Sequence, residues 1–147
     1  MRYAVRMQQG GEEGIFMRIV RREVPAEILY EDDLALAFLD NGPTAPGHTL
    51  VIPKHPYRDI FDIPAEDLGA VMEAVRKMAP AVRDAVGASG VNINSNHGEA
   101  AGQEVPHLHI HIIPRHDKAE FELWSKQEYA PGEAAEVAAR IRERTAR

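Results

Sequence analysis

The sequence predicts an α+β fold, in which a five-stranded antiparallel sheet is covered by a main helix and a short N-terminal helix. Five short apolar segments are joined mostly by tight turns, and helical periodicity is gathered in separate blocks. A regular alternation of strands with helices would indicate parallel βαβ units instead. With 147 residues the chain is long enough for one domain with a buried core.

The chain begins with residues 1–13, which are predicted to be a flexible lead-in because Gln, Gly and Glu fill their second half. This segment lacks the apolar stretch of a signal peptide, so we expect a cytoplasmic protein. A short helix is predicted over residues 14–24, where apolar side chains recur at helical spacing and Pro25 ends the run.

Three strands are predicted before the main helix. Residues 27–31 and 34–39 are apolar runs separated by Asp32 and Asp33, which suit a hairpin turn. A loop rich in Pro and Gly then leads to residues 48–53, the third strand, which opens on a histidine.

The main helix is predicted over residues 64–87, whose apolar positions follow the spacing of one helix face. Pro64 suits the first helical position, whereas Pro80 removes a backbone donor and is expected to kink or interrupt the helix. Residues 90–96 alternate apolar and polar side chains, as a half-buried fourth strand would.

The fifth predicted strand, residues 105–115, contains three histidines at alternate positions: His107, His109 and His111. Successive side chains of a strand point to opposite faces, so the imidazoles share one face and the intervening Leu and Ile residues share the other. Residues 116–147 are predicted to be a C-terminal extension with a helix over residues 131–147, where the apolar stripe is thin.

Composition excludes several classes of partner. A formal net charge of −6 argues against nucleic acid as a partner, because that role needs clustered Lys and Arg. No apolar run approaches the roughly 20 residues needed to span a bilayer, so no membrane partner is expected. Without cysteine there is no disulfide, thiolate nucleophile or thiolate zinc site. A small anionic substrate remains compatible, since local donors can hold a phosphate.

One explanation of the histidine row is a metal site. Two histidines one residue apart on a strand can share an ion, and His48, His97 or Glu99 could supply a further ligand. The outer pair, His107 and His111, would lie about 13 Å apart along an extended strand, so one ion does not use all three. A second explanation is purely structural, with the row solvated on an exposed sheet face.

Nucleotidyl transfer uses every member of the row. A neutral imidazole nitrogen attacks phosphorus well near neutral pH, and neighbouring imidazoles can donate protons to phosphate oxygens. Asn96 and Gln103 are neutral amide donors that suit the same oxygens.

Two motifs resemble those of the histidine triad (HIT) family. Residues 102–115, Gly-Gln-Glu-Val-Pro-His-Leu-His-Ile-His-Ile-Ile-Pro-Arg, closely resemble the family's signature. Residues 45–54, Ala-Pro-Gly-His-Thr-Leu-Val-Ile-Pro-Lys, resemble its second landmark. The resemblance runs over residues 14–115, which are therefore expected to form the HIT domain.

The resemblance implies a homodimer whose two five-stranded sheets join into one ten-stranded sheet, with a purine nucleotide bound in each protomer. It makes His109 the nucleophile that forms a nucleotidyl intermediate, with His111 and His48 on the α-phosphate and His107 in support. The implied substrate-binding residues are Asp40 for the ribose hydroxyls, Asn96 and Gln103 for phosphate, and Ile15, Phe16, Ile19, Phe38 and Leu50 for the base.

Some positions depart from the family pattern. Many relatives carry Ser or Thr after the glutamine, whereas this chain has Glu104, whose carboxylate would repel phosphate if it faced the pocket. A Cys-x-x-Cys zinc half-site found in some bacterial relatives is absent, so no metal site is expected. The ending Pro114-Arg115 resembles the fragile-histidine-triad and bacterial branches, which favours dinucleoside polyphosphates as substrates.

The expected function is therefore a nucleotide hydrolase that cleaves at the α-phosphate of dinucleoside polyphosphates or nucleoside phosphoramidates through a covalent nucleotidyl-histidine. No cofactor is required, although a divalent cation can accompany a polyphosphate substrate. The alternatives are a nucleotide-binding regulatory protein with little turnover and a nucleotidyltransferase.

Overall fold

The structure is a computed structural model that describes residues 14–122 and 124–145, so the predicted lead-in, residues 1–13, lies outside the described residues. The helices of the described part are α1 (Ile15–Val20), α2 (Ala65–Ala85) and α3 (Glu133–Thr145). Its strands are β1 (Ile28–Glu31), β2 (Ala35–Leu39), β3 (Thr49–Pro53), β4 (Gly90–Asn94) and β5 (Ile110–Arg115).

The five strands form one sheet in the order β1-β2-β3-β5-β4, and every neighbouring pair is antiparallel. This confirms the predicted α+β class and the five-stranded antiparallel sheet. Because β5 lies between β3 and β4, the histidine segment leads into an interior strand of the sheet. His111 is paired there with Leu50 on β3 and with Asn94 on β4.

The two faces of the sheet have different coverings. The main helix α2 packs on one face, where Val71 and Val75 join a buried cluster with Leu108, Ile110 and Ile112. Burying each such side chain contributes about 1.5–3 kcal/mol. On the other face, the short helix α1 contributes Phe16 and Ile19 to a second cluster. The predicted division of the histidine segment into an apolar face and a histidine face is thus correct.

The histidine strand is shorter than predicted, because β5 begins at Ile110 and not at Val105. The preceding backbone finds partners outside the sheet. The N–H of Leu108 donates to the carbonyl of Tyr57 over 2.8 Å, and the N–H of His107 donates to the carbonyl of Val105 over 2.9 Å. His107 and His109 therefore lie in an irregular segment that leads into the strand.

The predicted interruption at Pro80 is wrong, since α2 runs continuously from Ala65 to Ala85. Pro80 lies on the exposed side of the helix, so the carbonyl that loses its backbone donor faces water. Met78 and Val82, on either side of it, are buried against the sheet and hold the helix in place.

The C-terminal extension contains α3, in agreement with the predicted helix, and no residue of α3 is buried. Among residues 14–122 and 124–145, no helix has both the length and the apolar character needed to cross a membrane.

Candidate active site

A cavity of about 800 Å³ opens on the α1 face of the sheet. Its wall is formed by α1 and the chain that follows it, the facing ends of β2 and β3, and the irregular segment before β5. Sites for small molecules measure about 300–1,000 Å³, so the cavity is large enough for a nucleotide with further room beside it. His48, His109 and His111 all line it.

The ring of His109 is held in one tautomer. Its Nδ1 lies 2.7 Å from the main-chain oxygen of His107, and since a carbonyl oxygen can only accept, Nδ1 carries the hydrogen. The lone pair of the neutral ring is therefore on Nε2. The hydroxyl of Ser95 donates to the carbonyl of His109 over 2.7 Å and fixes the backbone from the other side. His109 is only 8% exposed and lines the cavity, so its ring is reached from the cavity and hardly from bulk solvent.

A chain of hydrogen bonds also sets the tautomers of His48 and His111. The N–H of Thr44 donates to Nδ1 of His48 over 3.0 Å, so the hydrogen of His48 is on Nε2. That Nε2 lies 2.8 Å from Nδ1 of His111 and donates to it. The hydrogen of His111 is consequently on its own Nε2, which has no acceptor among the described residues. This N–H is a donor available to a phosphate oxygen.

Burial keeps these rings neutral. The pKa of His111 is lowered to about 4, chiefly by removal from water and also by the nearby rings of His109 and His48, while the carboxylate of Asp40 opposes the shift. Burial likewise lowers the pKa of His48 and of His109. Loss of hydration penalises the charged form, so all three are neutral near pH 7. The neutral state is the one that has a lone pair on His109 Nε2.

His107 lies deeper than the other two histidines of the row. It is 3% exposed, does not line the cavity, and donates from Nε2 to the carbonyl of Pro53 over 2.9 Å. Burial lowers its pKa to about 4. Phe16 packs edge-on against both His107 and His109, with ring centroids 5.7 and 5.2 Å apart respectively. A single aromatic ring from α1 therefore orients two members of the row.

One end of the cavity is apolar. All the residues that the sequence assigned to the base wall line it, namely Ile15, Phe16, Ile19, Phe38 and Leu50. The chain after α1 adds Val24, Pro25 and Ala26, which sequence reasoning missed because no motif marks them.

Asp40 lies beside the histidines and lines the cavity. Its Oδ1 accepts from the N–H of Gly42 over 2.8 Å, and its Oδ2 is 3.8 Å from Nε2 of His48. Three side chains could share a metal ion, because one ligand atom from each lies within 4.8 Å of the other two: Asp40, His48 and His111.

The two predicted phosphate-side amides differ in placement. Asn96 lines the cavity, whereas Gln103 does not. The Gln103 side chain is bonded to backbone groups of its own loop and of Arg58. Its Oε1 accepts from the N–H of Gly98, and its Nε2 donates to the carbonyls of Arg58 and Val105. Glu104, the next residue, faces the cavity instead.

Comparison with known proteins agrees with this arrangement. The HIT domain family model matches residues 21–118. Protein hit of Bacillus subtilis is 37% identical over 139 residues, which cover 92% of this chain and 96% of that protein. A crystal structure of a HIT family member from Bacillus subtilis superposes with a TM-score of 0.83 at 38% identity, covering 90% of this chain and 97% of that one.

Two relatives carry enzyme names. The adenosine 5′-monophosphoramidase of Saccharomyces cerevisiae is 39% identical over 104 residues, covering 71% of this chain and 63% of that protein. The adenylylsulfatase of Arabidopsis thaliana is 40% identical over 104 residues, covering 71% of this chain and 53% of that protein. The family model matches most of the chain, a relative spans nearly all of it, and the histidine row is in place. The chain therefore belongs to the HIT family.

Proposed function

We propose that this protein is a nucleotide hydrolase that cleaves nucleoside phosphoramidates or dinucleoside polyphosphates at the α-phosphate. The observation that carries the proposal is the fixed tautomer of His109, whose Nε2 has a lone pair beside a nucleotide-sized cavity. A positioned nucleophile and positioned donors are the two requirements for transfer of a phosphoryl group.

The reaction has two steps. In the first, Nε2 of His109 bonds to the α-phosphorus while the bond from phosphorus to the leaving group breaks. The departing atom keeps the bonding electron pair and takes up a proton from solvent. In the second, water attacks the same phosphorus, the bond to Nε2 breaks with its electron pair returning to the ring, the water gives a proton back to solvent, and a nucleoside monophosphate is released. The N–H of His111 Nε2 donates to a phosphate oxygen in both steps.

Recognition of the nucleotide follows from the two ends of the cavity. The apolar end suits a purine ring, which Phe16 and Leu50 can contact on its faces. Asp40, between that end and the histidines, offers a carboxylate oxygen to the ribose hydroxyls. The names of the yeast and plant relatives, a monophosphoramidase and an adenylylsulfatase, support a substrate that carries a single α-phosphate next to the leaving group.

No cofactor is needed for these steps, because the charge that develops on the phosphate is met by imidazole N–H groups. A divalent cation enters only with a polyphosphate substrate, as part of that substrate. Hydrolysis of an adenosine phosphoramidate is therefore expected to proceed equally well with and without EDTA.

The test uses the purified protein with an adenosine phosphoramidate and with a dinucleoside polyphosphate. The parent is expected to release adenosine monophosphate, and His109→Ala is expected to lose at least a hundredfold in kcat. His55→Ala is the matched control, because His55 is exposed and does not line the cavity. If His109→Ala hydrolyses both substrates as fast as the parent, the assignment of the nucleophile is wrong.

A regulatory nucleotide-binding protein is the second candidate, because Glu104 lines the cavity and opposes a polyphosphate. Titration calorimetry separates it from the hydrolase: it predicts tight binding of adenosine monophosphate together with negligible turnover of both substrates. A nucleotidyltransferase would share the covalent intermediate and would differ only in the acceptor of the second step.

We also propose that two chains join through β4 into a ten-stranded sheet. Within the described residues β4 pairs only with β5, so its other edge is open. Ile93 on this strand and Met72 on α2 are 46% and 45% exposed, and together with Ile60 they line a small apolar cleft. Edge strands with exposed apolar side chains are stabilised by pairing with another strand.

A further inference from the structure

The wall of the cavity has an unusual charge for a protein that handles phosphates. Among the described residues that form it, Glu27, Asp40 and Glu104 are acidic, and none is Lys or Arg. Arg115, which ends the histidine strand, donates instead to the side chain of Asn92 and to the carbonyl of Glu120. With neutral imidazoles, the wall carries only negative formal charge near pH 7.

Two of these carboxylates, those of Glu27 and Glu104, have no hydrogen-bond or ion-pair partner among the described residues, and Glu104 is the one of the two whose charge affects the pKa of His109. No described residue donates a hydrogen bond to the carboxylate of Glu104 or forms an ion pair with it, and the side chain is exposed. Asp40, by contrast, accepts from the N–H of Gly42. The carboxylate of Glu104 is therefore free to pair with a group that enters the cavity.

The loop that carries Glu104 is held on both sides. The side chain of Gln103 bridges the N–H of Gly98 and the carbonyls of Arg58 and Val105 at 2.7 to 3.1 Å. Val105 is buried beside the base wall. With its neighbours fixed in this way, Glu104 keeps its place on the wall, and only its side chain is free to adjust.

Its position suits contact with a leaving group. The amide of Asn96 lies next to Gly102, since its Nδ2 would be 3.6 Å from a Cβ on that glycine, and Asn96, Gly102 and Glu104 all line the cavity. The carboxylate of Glu104 also acts on His109, where it opposes the lowering of that ring's pKa, so its charge is felt where the phosphorus would react. In transfer at phosphorus the nucleophile and the leaving group lie on opposite sides, so the leaving group extends away from His109 Nε2 into the remaining space.

We infer that Glu104 makes the site selective for nucleotides whose leaving group carries a positive charge, namely phosphoramidates of an amine that bears a second, protonated amino group. This rests on the proposed function and deepens it. The bond from phosphorus to the linking nitrogen breaks as the bond to His109 Nε2 forms, and that nitrogen leaves with the electron pair and gains a proton. The distal ammonium does not react; it pairs with Glu104 and lowers the energy of binding and of the transition state.

Two substrates of equal length isolate this charge. The adenosine 5′-phosphoramidate of 1,5-diaminopentane ends in an ammonium group, and that of hexylamine ends in a methyl group at the same distance from phosphorus. The parent is expected to have a kcat/KM about twofold to fivefold higher for the diamine, the size of one exposed charge pair. This ratio is expected to fall as salt is raised, because ions screen exposed charges.

Variants of Glu104 test whether its carboxylate causes the preference for the diamine substrate. In Glu104→Gln the ratio is expected to fall to about one, and in Glu104→Lys it is expected to fall below one, because the wall now repels the ammonium. Glu99→Gln is the matched control, since it removes the same charge from the same loop at a residue that does not line the cavity. Its ratio is expected to equal that of the parent.

The outcomes separate this inference from the proposed function. A ratio near one in the parent, or a parental ratio retained in Glu104→Gln, would overturn the role of Glu104 while leaving the hydrolase standing. No cleavage of either phosphoramidate would refute the proposed hydrolase, and the inference would fall with it.

Discussion

Acidification is expected to destabilise this fold through His107. This ring is 3% exposed and is held neutral, with its pKa lowered from 6.5 to about 4 by burial. Below pH 6.5 the unfolded chain binds a proton at this position that the native state does not, so stability is lost as the pH falls toward 4. At pH 5 the unfolded imidazole is almost fully protonated and the native one about a tenth, which amounts to about 2 kcal/mol.

Urea unfolding at pH 7.5 and at pH 5 measures this loss. The substitution His107→Gln supplies the comparison, because its amide can still donate to the carbonyl of Pro53 but does not titrate. The variant is expected to be less stable than the parent at both pH values, yet to lose about 2 kcal/mol less between them. If parent and variant lose the same free energy of unfolding, His107 is not held neutral by burial and the reasoning fails.

Three further predictions concern the proposed ribose contact, the hydrogen-bond chain and the proposed dimer. Asp40→Asn keeps the acceptor for the N–H of Gly42 but loses the negative charge. The KM for an adenosine phosphoramidate is therefore expected to rise about tenfold with little change in kcat. Equal fractional losses in kcat and kcat/KM would contradict this expectation. His48→Ala removes the donor that fixes the His111 tautomer. This variant is expected to lower kcat about tenfold to a hundredfold in steady-state assays. An unchanged kcat would argue against the role of the hydrogen-bond chain. Ile93→Lys places a charge at the open edge of β4 and is expected to convert the proposed dimer to monomers in sedimentation velocity. A dimer that persists in the variant would contradict an interface at β4.

The alternation of histidine with Leu and Ile was sufficient to predict which side chains face the core. It holds even where the chain is not a strand, because Leu108 packs under α2 while His107 and His109 contact Phe16. The strand boundary could not be predicted in the same way. It depends on the carbonyl of Tyr57, a residue far away in sequence that takes the N–H of Leu108.

The directions of neighbouring polar side chains were also beyond the sequence. Gln103 and Glu104 are adjacent, and only the tertiary positions of Arg58 and Gly98 determine that the amide is used in the loop while the carboxylate faces the cavity. The backbone N–H of Thr44, which sets the tautomer of His48, has no signature in the residue types. The continuity of α2 through Pro80 could not be predicted either. The free energy lost with the missing backbone hydrogen bond depends on whether that side of the helix faces water, and Pro80 is exposed.

The central claim is that phosphorus becomes bonded to Nε2 of His109 during turnover. Intact-protein and peptide mass spectrometry after rapid alkaline quenching of the protein with an adenosine phosphoramidate tests it directly, since bonds between phosphorus and histidine survive in base. An adenylyl group on the peptide that contains His109, absent from His109→Ala, is the expected result. Turnover by the parent with the adduct on another residue, or an undiminished adduct in His109→Ala, would contradict the account.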